Sequence, residues 1–245
     1  MKIGVADYGM NVWYGGQYDY LDRVKELRAI GFDGIERIYA QTEAQALYTA
    51  ANVRRLGGDF ATCLAPTVEL SMQWTAAFGK EYMWANVGAK DFDTYCRQVN
   101  DQVKIAAKWG VKVAVHNHLG QTVETQQQLD EFMRRCPGAY LLLDAGHLAV
   151  AGGDVLRTAE MYYDRIAAVH VKGWQMTNPD APRWNDRGYF CEIGGGNFPV
   201  PNEDLIRFLI GRGYDKWLMI EHDTHKQEPL ADLKLSRERI AALGA

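Results

Sequence analysis

Polar side chains that can bind metals or move protons lie between residues 116 and 225, each at or just after the end of a short apolar run. All six histidines of the chain belong to this set. Its members are His116, Asn117, His118, Asp144, His147, His170, Lys172, Glu221, His222, Asp223 and His225. Imidazole nitrogens combined with carboxylate oxygens suit Mn, Co, Fe or Zn better than Mg or Ca, which prefer oxygen shells. The set therefore predicts a divalent-metal site at which protons can also be transferred.

Alternation along a strand limits which of these side chains can meet. Successive side chains of a strand point to opposite sides, so His116 and His118 share a side while the residue between them faces away. Glu221 and Asp223 likewise share a side, and His222 faces the other. For any single histidine, an ordinary hydrogen-bonded structural role is the alternative.

The apolar runs alternate with segments of helical periodicity along the whole chain. In YDYLDRVKELRAIG, for example, Leu21, Val24, Leu27 and Ile30 recur at helical spacing and Gly31 ends the helix. We count eight such strand–helix pairs, with a less regular segment at 66–80 and a long loop at 173–199. Strands that alternate with helices form parallel sheets.

Eight pairs in 245 residues predict an α/β fold, a single (β/α)8 TIM barrel covering residues 1–245. An open doubly wound sheet is the alternative, but the turn after the first strand lacks G-x-G-x-x-G. In a barrel the site lies at the carboxyl ends of the strands. Glu36 ends strand two, and the long loop carries Trp174 and Glu192. We predict that these three residues and Lys172 contact the substrate, although a salt bridge to a barrel carboxylate is the alternative for Lys172.

Composition and charge exclude several classes of protein. The chain is 47% hydrophobic and 24% charged, as a folded globular protein should be. Its net charge of -4 and the lack of basic runs argue against binding to nucleic acid or a membrane surface. The four cysteines form no C-x-x-C pair, which argues against a cysteine zinc site. We find no signal peptide or membrane-spanning run and expect a cytoplasmic protein.

At these residues the chain resembles the xylose-isomerase-like family of sugar isomerases and epimerases. The matching segments are GFDGIER, VAVHNHLG, LLLDAGHLAVAGGD, AAVHVKG, EIGGGNFP and WLMIEHD. The resemblance implies a TIM barrel whose single divalent metal is held by Asp144, His170 and Glu221, with His147 contacting substrate oxygens. His116 occupies the fourth ligand position, where many family members have glutamate. Glu124 is the alternative carboxylate, although its position favours capping of the next helix.

The histidine at position 116 also bears on the reaction. In the family's ketose 3-epimerases, two glutamates bind the metal and exchange protons on opposite faces of the sugar, and a metal-bound histidine has no second oxygen for this. The H-x-H pattern, LGQTVET and DAGHLAVAGGD resemble the inosose dehydratase branch instead. The resemblance also implies a homodimer or homotetramer.

We therefore expect a metal-dependent enzyme that removes a proton next to the carbonyl of a ketose or keto-polyol, with loss of water slightly favoured. Glu221 is the expected base, with His118 or Glu192 as alternatives, and His118 or His147 is the expected acid. The metal is expected to be Mn, Co or Zn rather than Mg. Epimerisation or isomerisation through the same enediolate, an endonuclease-four-type phosphodiesterase and a non-catalytic barrel are the alternatives.

Overall fold

The computed structural model describes residues 1–6, 8–17 and 19–245. Its strands are β1 (Lys2–Ala6), β2 (Gly34–Tyr39), β3 (Asp59–Leu64), β4 (Tyr82–Trp84), β5 (Lys112–His116), β6 (Tyr140–Asp144), β7 (Ile166–Val171), β8 (Gly173–Met176), β9 (Gly188–Cys191) and β10 (Trp217–Glu221). Its helices are α1 (Tyr8–Trp13), α2 (Tyr20–Ile30), α3 (Glu43–Arg55), α4 (Val68–Ala77), α5 (Phe92–Ala107), α6 (Gln126–Arg135), α7 (Ala145–Val150), α8 (Val155–Met161), α9 (Trp184–Arg187), α10 (Asn202–Gly211) and α11 (Pro229–Ala242).

Among the described residues, eight strands form one parallel sheet in the order β3-β2-β1-β10-β7-β6-β5-β4. The two end strands, β3 and β4, lie side by side, so the sheet curls into a nearly closed barrel. The predicted α/β class and (β/α)8 barrel are confirmed. The same residues contain no helix long and apolar enough to cross a membrane.

Strand alternation divides the apolar residues into two cores. Ala114, Leu142 and Met219 pack inside the barrel, where alanines predominate and leave room for the strands to close. Their neighbours Val113 and Val115 face outward into the larger core beneath the helices. The inner core fills the lower barrel, so the polar residues at the carboxyl ends of the strands lie above an apolar floor.

The prediction of a less regular segment at 66–80 is wrong, because this segment contains α4. The Thr67 side chain accepts a hydrogen bond from the Leu70 N–H and caps the helix. Met72 and Trp74 are both buried although they are only two positions apart on α4, so the buried side chains do not follow a single helical stripe in the sequence.

The expected long loop at 173–199 is also wrong in part. It folds into an antiparallel hairpin of β8 and β9, with the single turn of α9 between them. The register pairs Trp174 with Phe190, which turns both rings toward the carboxyl end of the barrel. All four cysteines are buried and free in the part of the chain described.

The opposite end of the barrel is held by Asp59 at the start of β3. Lys2 Nζ donates to Oδ2 at 2.8 Å, and Lys80 Nζ donates to Oδ1. Burial raises the pKa of Asp59, but the hydrogen bonds from the two lysines outweigh this effect and lower it. The charged form of Asp59 therefore stabilises the folded state.

We expect Asp59→Asn to reduce the free energy of unfolding by about 1 kcal/mol at neutral pH. A lowered carboxyl pKa contributes stability above the unfolded-state pKa of about 3.9, and this contribution is lost as the pH falls through the folded-state pKa. The difference between variant and wild type should therefore shrink in acid, as measured by urea denaturation at several pH values. Asp101→Asn, in an exposed pair with Lys104, is the control. An equal loss at every pH would contradict the assignment.

Candidate active site and metal centre

The carboxyl ends of β5, β6, β7 and β10 bring the four predicted metal ligands together. His116 Nε2 lies 3.1 Å from Asp144 Oδ2 and 3.8 Å from Glu221 Oε2. His170 Nδ1 lies 2.9 Å from Glu221 Oε2 and 3.6 Å from Asp144 Oδ2. Two nitrogens and two oxygens thus face a common point, a donor set that suits Mn, Co, Fe or Zn. His147 Nε2 lies 3.9 Å from Asp144 Oδ2, and His147 forms with His116, Asp144 and Glu221 a group whose possible ligand atoms all lie within 4.8 Å of one another.

Lys172 lies between the two carboxylates of this set. Its ammonium is fully buried, 2.6 Å from Asp144 Oδ2 and 2.8 Å from Glu221 Oε2. Burial raises the pKa of both carboxyls, but the charge of Lys172 outweighs it and holds both pKa values well below their usual range. A divalent ion bound to the same oxygens would have to displace this ammonium. The salt bridge that was the alternative for Lys172 is therefore present, and its contact with substrate stays a prediction.

Gly146 makes the position of Lys172 possible. A Cβ atom added at this glycine would collide with Cγ of Lys172 and would also lie close to its Cδ. The backbone at the start of α7 therefore packs directly against the lysine stem.

Glu36 lies behind His170, and it is fully buried. Its Oε1 is 3.0 Å from His170 Nε2 and accepts hydrogen bonds from Tyr82 Oη at 3.1 Å and Trp84 Nε1 at 3.0 Å. A carboxylate in this position orients a metal-binding imidazole. The geometry thus favours a positioning role for Glu36 over the predicted substrate contact.

Asn117 faces away from the barrel axis, as the alternation predicts, and fixes the position of Asp144. Its Nδ2 donates to the carbonyl of Asp144 at 3.0 Å, and its Oδ1 accepts from the Asp144 N–H at 2.9 Å. Asp144 Oδ1 in turn accepts from the N–H of His147 and caps α7. One carboxylate oxygen is thus held by the backbone, while the other faces the predicted metal ligands.

His118 and His147 stack beside this centre, with ring centroids 3.7 Å apart, yet their environments differ. His118 Nδ1 is 2.6 Å from the Leu119 carbonyl, and Nε2 is 3.1 Å from Asp223 Oδ1. Both partners only accept, so both ring nitrogens must carry hydrogen, and the ring is an imidazolium. Burial lowers the pKa of His118, but the hydrogen bond with Asp223 raises it above the usual value.

His147 is the neutral partner. Its Nδ1 accepts from the Leu119 N–H at 3.4 Å, which leaves the ring hydrogen on Nε2, 3.3 Å from Asp223 Oδ2. Complete burial lowers the pKa of His147 to about 4. Two stacked imidazoles with separated pKa values are typical of a site in which one group gives a proton and the other only positions.

The site opens into a cavity of about 580 Å³, the size of a pocket for a small ligand. His116, His118, Glu221 and Asp223 line it, with Trp184 from the hairpin beside both stacked histidines. Further lining residues that we did not predict include Arg37, Asn185, Phe190, Thr224 and Lys226. The sequence does indicate Asp223, because alternation along the strand places its side chain on the same side as that of Glu221.

Two residues that we predicted to contact the substrate, Trp174 and Glu192, do not line this cavity. Trp174 is fully buried and packs against Phe190 at a centroid distance of 4.7 Å. Glu192, also named as an alternative base, lines a second cavity together with Cys191 and Asp232. The backbone N–H of Glu124 donates to Gln128 in the first turn of α6, in keeping with a helix-opening position.

Comparison with known proteins identifies the family of this chain. The family model described as "Xylose isomerase-like TIM barrel" matches residues 24–243. An inosose dehydratase of Lactiplantibacillus plantarum is 28% identical over 85% of this chain and 71% of its own length. An inosose dehydratase of Salmonella agona is 29% identical over 64% of this chain and 56% of its own length. The chain thus spans between about half and three quarters of these two relatives.

Solved structures share the fold at low identity. The probable 3-DHS dehydratase AsbF of Bacillus anthracis superposes with a TM-score of 0.75 at 16% identity, over 98% of this chain and 99% of that one. D-psicose 3-epimerase of Clostridium cellulolyticum, solved with D-tagatose, superposes with a TM-score of 0.67 at 15% identity, over 100% and 97%.

Lys172→Met should destabilise the metal-free protein by about 3 kcal/mol, because two buried carboxylates lose their shared cation. It should also tighten the binding of Mn²⁺, because no ammonium competes for the same oxygens. Thermal unfolding in chelator and in Mn²⁺ measures both effects. Lys112→Met, which breaks the exposed pair with Glu81 on the same barrel, is the control. Weaker Mn²⁺ binding by the Lys172 variant would show that the lysine supports the ion.

Proposed function

The chain belongs to the xylose isomerase-like TIM barrel family, and on that premise we propose that it is a divalent-metal-dependent lyase that removes water from a keto-polyol or ketose. The observation that carries the proposal is the pairing of an ionised carboxylate, Glu221, with a protonated histidine, His118, on one cavity. Elimination of water needs a base and an acid at once. The inosose dehydratases among the relatives support the same reaction class.

Glu221 is the proposed base. In the described part of the chain, its two side-chain hydrogen bonds, with His170 and Lys172, and its ion pairs all involve Oε2. Oε1 is therefore the oxygen that remains to take a proton from the carbon next to the substrate carbonyl. In the metal-free protein the positive charges of Lys172 and His170 keep Glu221 ionised. A bound metal ion would take over this role, so the carboxylate is ready to accept a proton at neutral pH.

His118 is the proposed acid. As an imidazolium held by Asp223, it gives a proton to the hydroxyl on the next carbon as the C–O bond breaks, and water leaves. The electrons of the broken C–H bond form the new C=C bond, so the product is an unsaturated ketone and no oxidant is needed. His147 is neutral and fully buried, and its Nε2 faces Asp223 Oδ2 at 3.3 Å, so its proposed role is to position Asp223 and the stacked His118.

The proposed ligands of the metal are His116, Asp144, His170 and Glu221, with Mn, Co or Zn favoured over Mg by the two imidazoles. When bound, the ion supplies Lewis acidity that makes the C–H next to the carbonyl easier to deprotonate. Glu36 keeps His170 oriented toward this position. Trp184 and Phe190 supply an apolar wall that limits water near the reacting carbons.

Ketose epimerisation is the second candidate, because it begins with the same proton removal. The resemblance to epimerases implies a second carboxylate at position 116, on the opposite face of the sugar from Glu221. This chain has His116 there, and its Nε2 already faces Asp144 at 3.1 Å. That arrangement leaves the opposite face without a carboxylate base and favours elimination.

The experiment incubates the Mn²⁺-loaded protein with keto-inositols and ketoses in D₂O and follows products by NMR. Wild type should yield an unsaturated product. Glu221→Gln should abolish both deuterium exchange and elimination, whereas His118→Gln should slow elimination about 100-fold or more and retain exchange. Glu43→Gln, at the exposed start of α3, is the control for folding. Exchange without any unsaturated product in wild type would reject the lyase assignment and favour an epimerase.

His116→Glu provides a complementary test. If the second carboxylate is what separates the two reactions, this variant should form more epimer relative to dehydrated product than wild type does. The ratio is read from the same NMR spectra, and circular dichroism checks the fold. An unchanged ratio would mean that position 116 does not select the reaction.

A further inference from the structure

A second group of metal-binding residues lies on the outer side of the barrel wall. His222 follows β10 and points away from the axis, opposite to Glu221. His225 lies in the loop that follows, and Asp232 lies in the first turn of α11. The three side chains are at least nine-tenths buried, with exposures of 1%, 7% and 1%.

The three side chains converge on one point. His222 Nδ1 is 2.8 Å and His225 Nδ1 is 3.0 Å from the same oxygen, Oδ2 of Asp232. Burial raises the pKa of Asp232, but its contacts with the two histidines outweigh this and lower it. The carboxylate is therefore in the charged form that binds metals.

Several polar atoms of this group lack a hydrogen-bond partner among the described residues. His225 donates to Asp232, but the Nδ1 atom of His222 is not aligned for a hydrogen bond despite its short distance. Among the described residues, His222 Nε2 and Asp232 Oδ1 are also buried without a hydrogen-bond partner. A buried unpaired polar atom costs about 1–3 kcal/mol, so a folded protein with three of them in one cluster calls for a further partner.

We propose that His222, His225 and Asp232 form a second divalent-metal site, separate from the barrel centre, for an ion of the zinc class. Two imidazoles and one carboxylate are a common zinc donor set. In a tetrahedral site with bonds of about 2.0–2.1 Å, ligand atoms lie about 3.3 Å apart, so each histidine nitrogen needs to move only a few tenths of an ångström away from Asp232 Oδ2.

A cavity adjoins the carboxylate of this group. Its space of about 290 Å³ is lined by Asp232, Cys191 and Lys226 among others, and it has room for water beside Asp232 as a further ligand.

The bound ion would join the end of β10 to α11. The loop between them carries Thr224 and Lys226, which line the proposed active-site cavity, and β10 itself carries Glu221. The role of the second ion is thus structural, since it would fix the strand and loop that carry the base. The inference does not depend on which reaction the barrel centre performs.

The test measures metal content and the visible absorption of Co²⁺ in protein stripped by chelator and reloaded with Co²⁺ or Zn²⁺. Wild type should bind one equivalent more than His225→Gln or Asp232→Asn. Asp144→Asn, which removes a barrel ligand, should retain a Co²⁺ spectrum and a rise in melting temperature with Zn²⁺. The Asp144→Asn/His225→Gln double variant should lose both.

Equal metal content in wild type, His225→Gln and Asp232→Asn would overturn the proposal, as would a double variant that binds as much Co²⁺ as Asp144→Asn. If Asp144→Asn fails to fold by circular dichroism, the comparison of wild type with the two single variants still decides. Failure of the proposed lyase reaction would leave these ion counts unchanged, so the two proposals are tested separately.

Discussion

The upper half of the barrel depends on two carboxylates, Asp144 and Glu221, that share one buried cationic neighbour. An isolated buried charge costs several kcal/mol, so neither carboxylate is tolerable there without Lys172 or an ion in its place. His116 and His170 approach the same two oxygens from their own strands. Asn117 holds Asp144 from outside the barrel, and Glu36 holds His170 from below. The site is thus a balanced set of charges rather than a few independent polar residues.

The charges around the site also give the two stacked histidines, His118 and His147, different pKa values. Asp223 lies within reach of both rings, yet His118 is held as an imidazolium by two acceptors, whereas His147 receives a backbone N–H and stays neutral. Despite burial, the hydrogen bond with Asp223 raises the pKa of His118, and complete burial lowers that of His147. Leu119 adds to the difference, because it offers its carbonyl to His118 and its N–H to His147.

The barrel and the convergence of the polar residues could be predicted from local pattern. Strand–helix alternation identified the fold, and the two-residue period along the strands placed His116 and His118 on one side. Contacts between distant segments could not be predicted in this way. Glu36 looked like a substrate ligand because strand two ends there, but only the closed barrel places it beneath His170. The hairpin of β8 and β9 was missed because Trp174 and Phe190 pair across a polar segment without strand periodicity.

The close contact between Gly146 and the stem of Lys172 ties two distant positions of the chain together. Any side chain at 146 would occupy the volume through which the lysine reaches the carboxylates, so the smallest residue at one position is a condition for a long cation at the other. These two positions should therefore vary as a pair among homologues: where strand seven carries a short residue instead of lysine, the turn after strand six is free to carry alanine or serine.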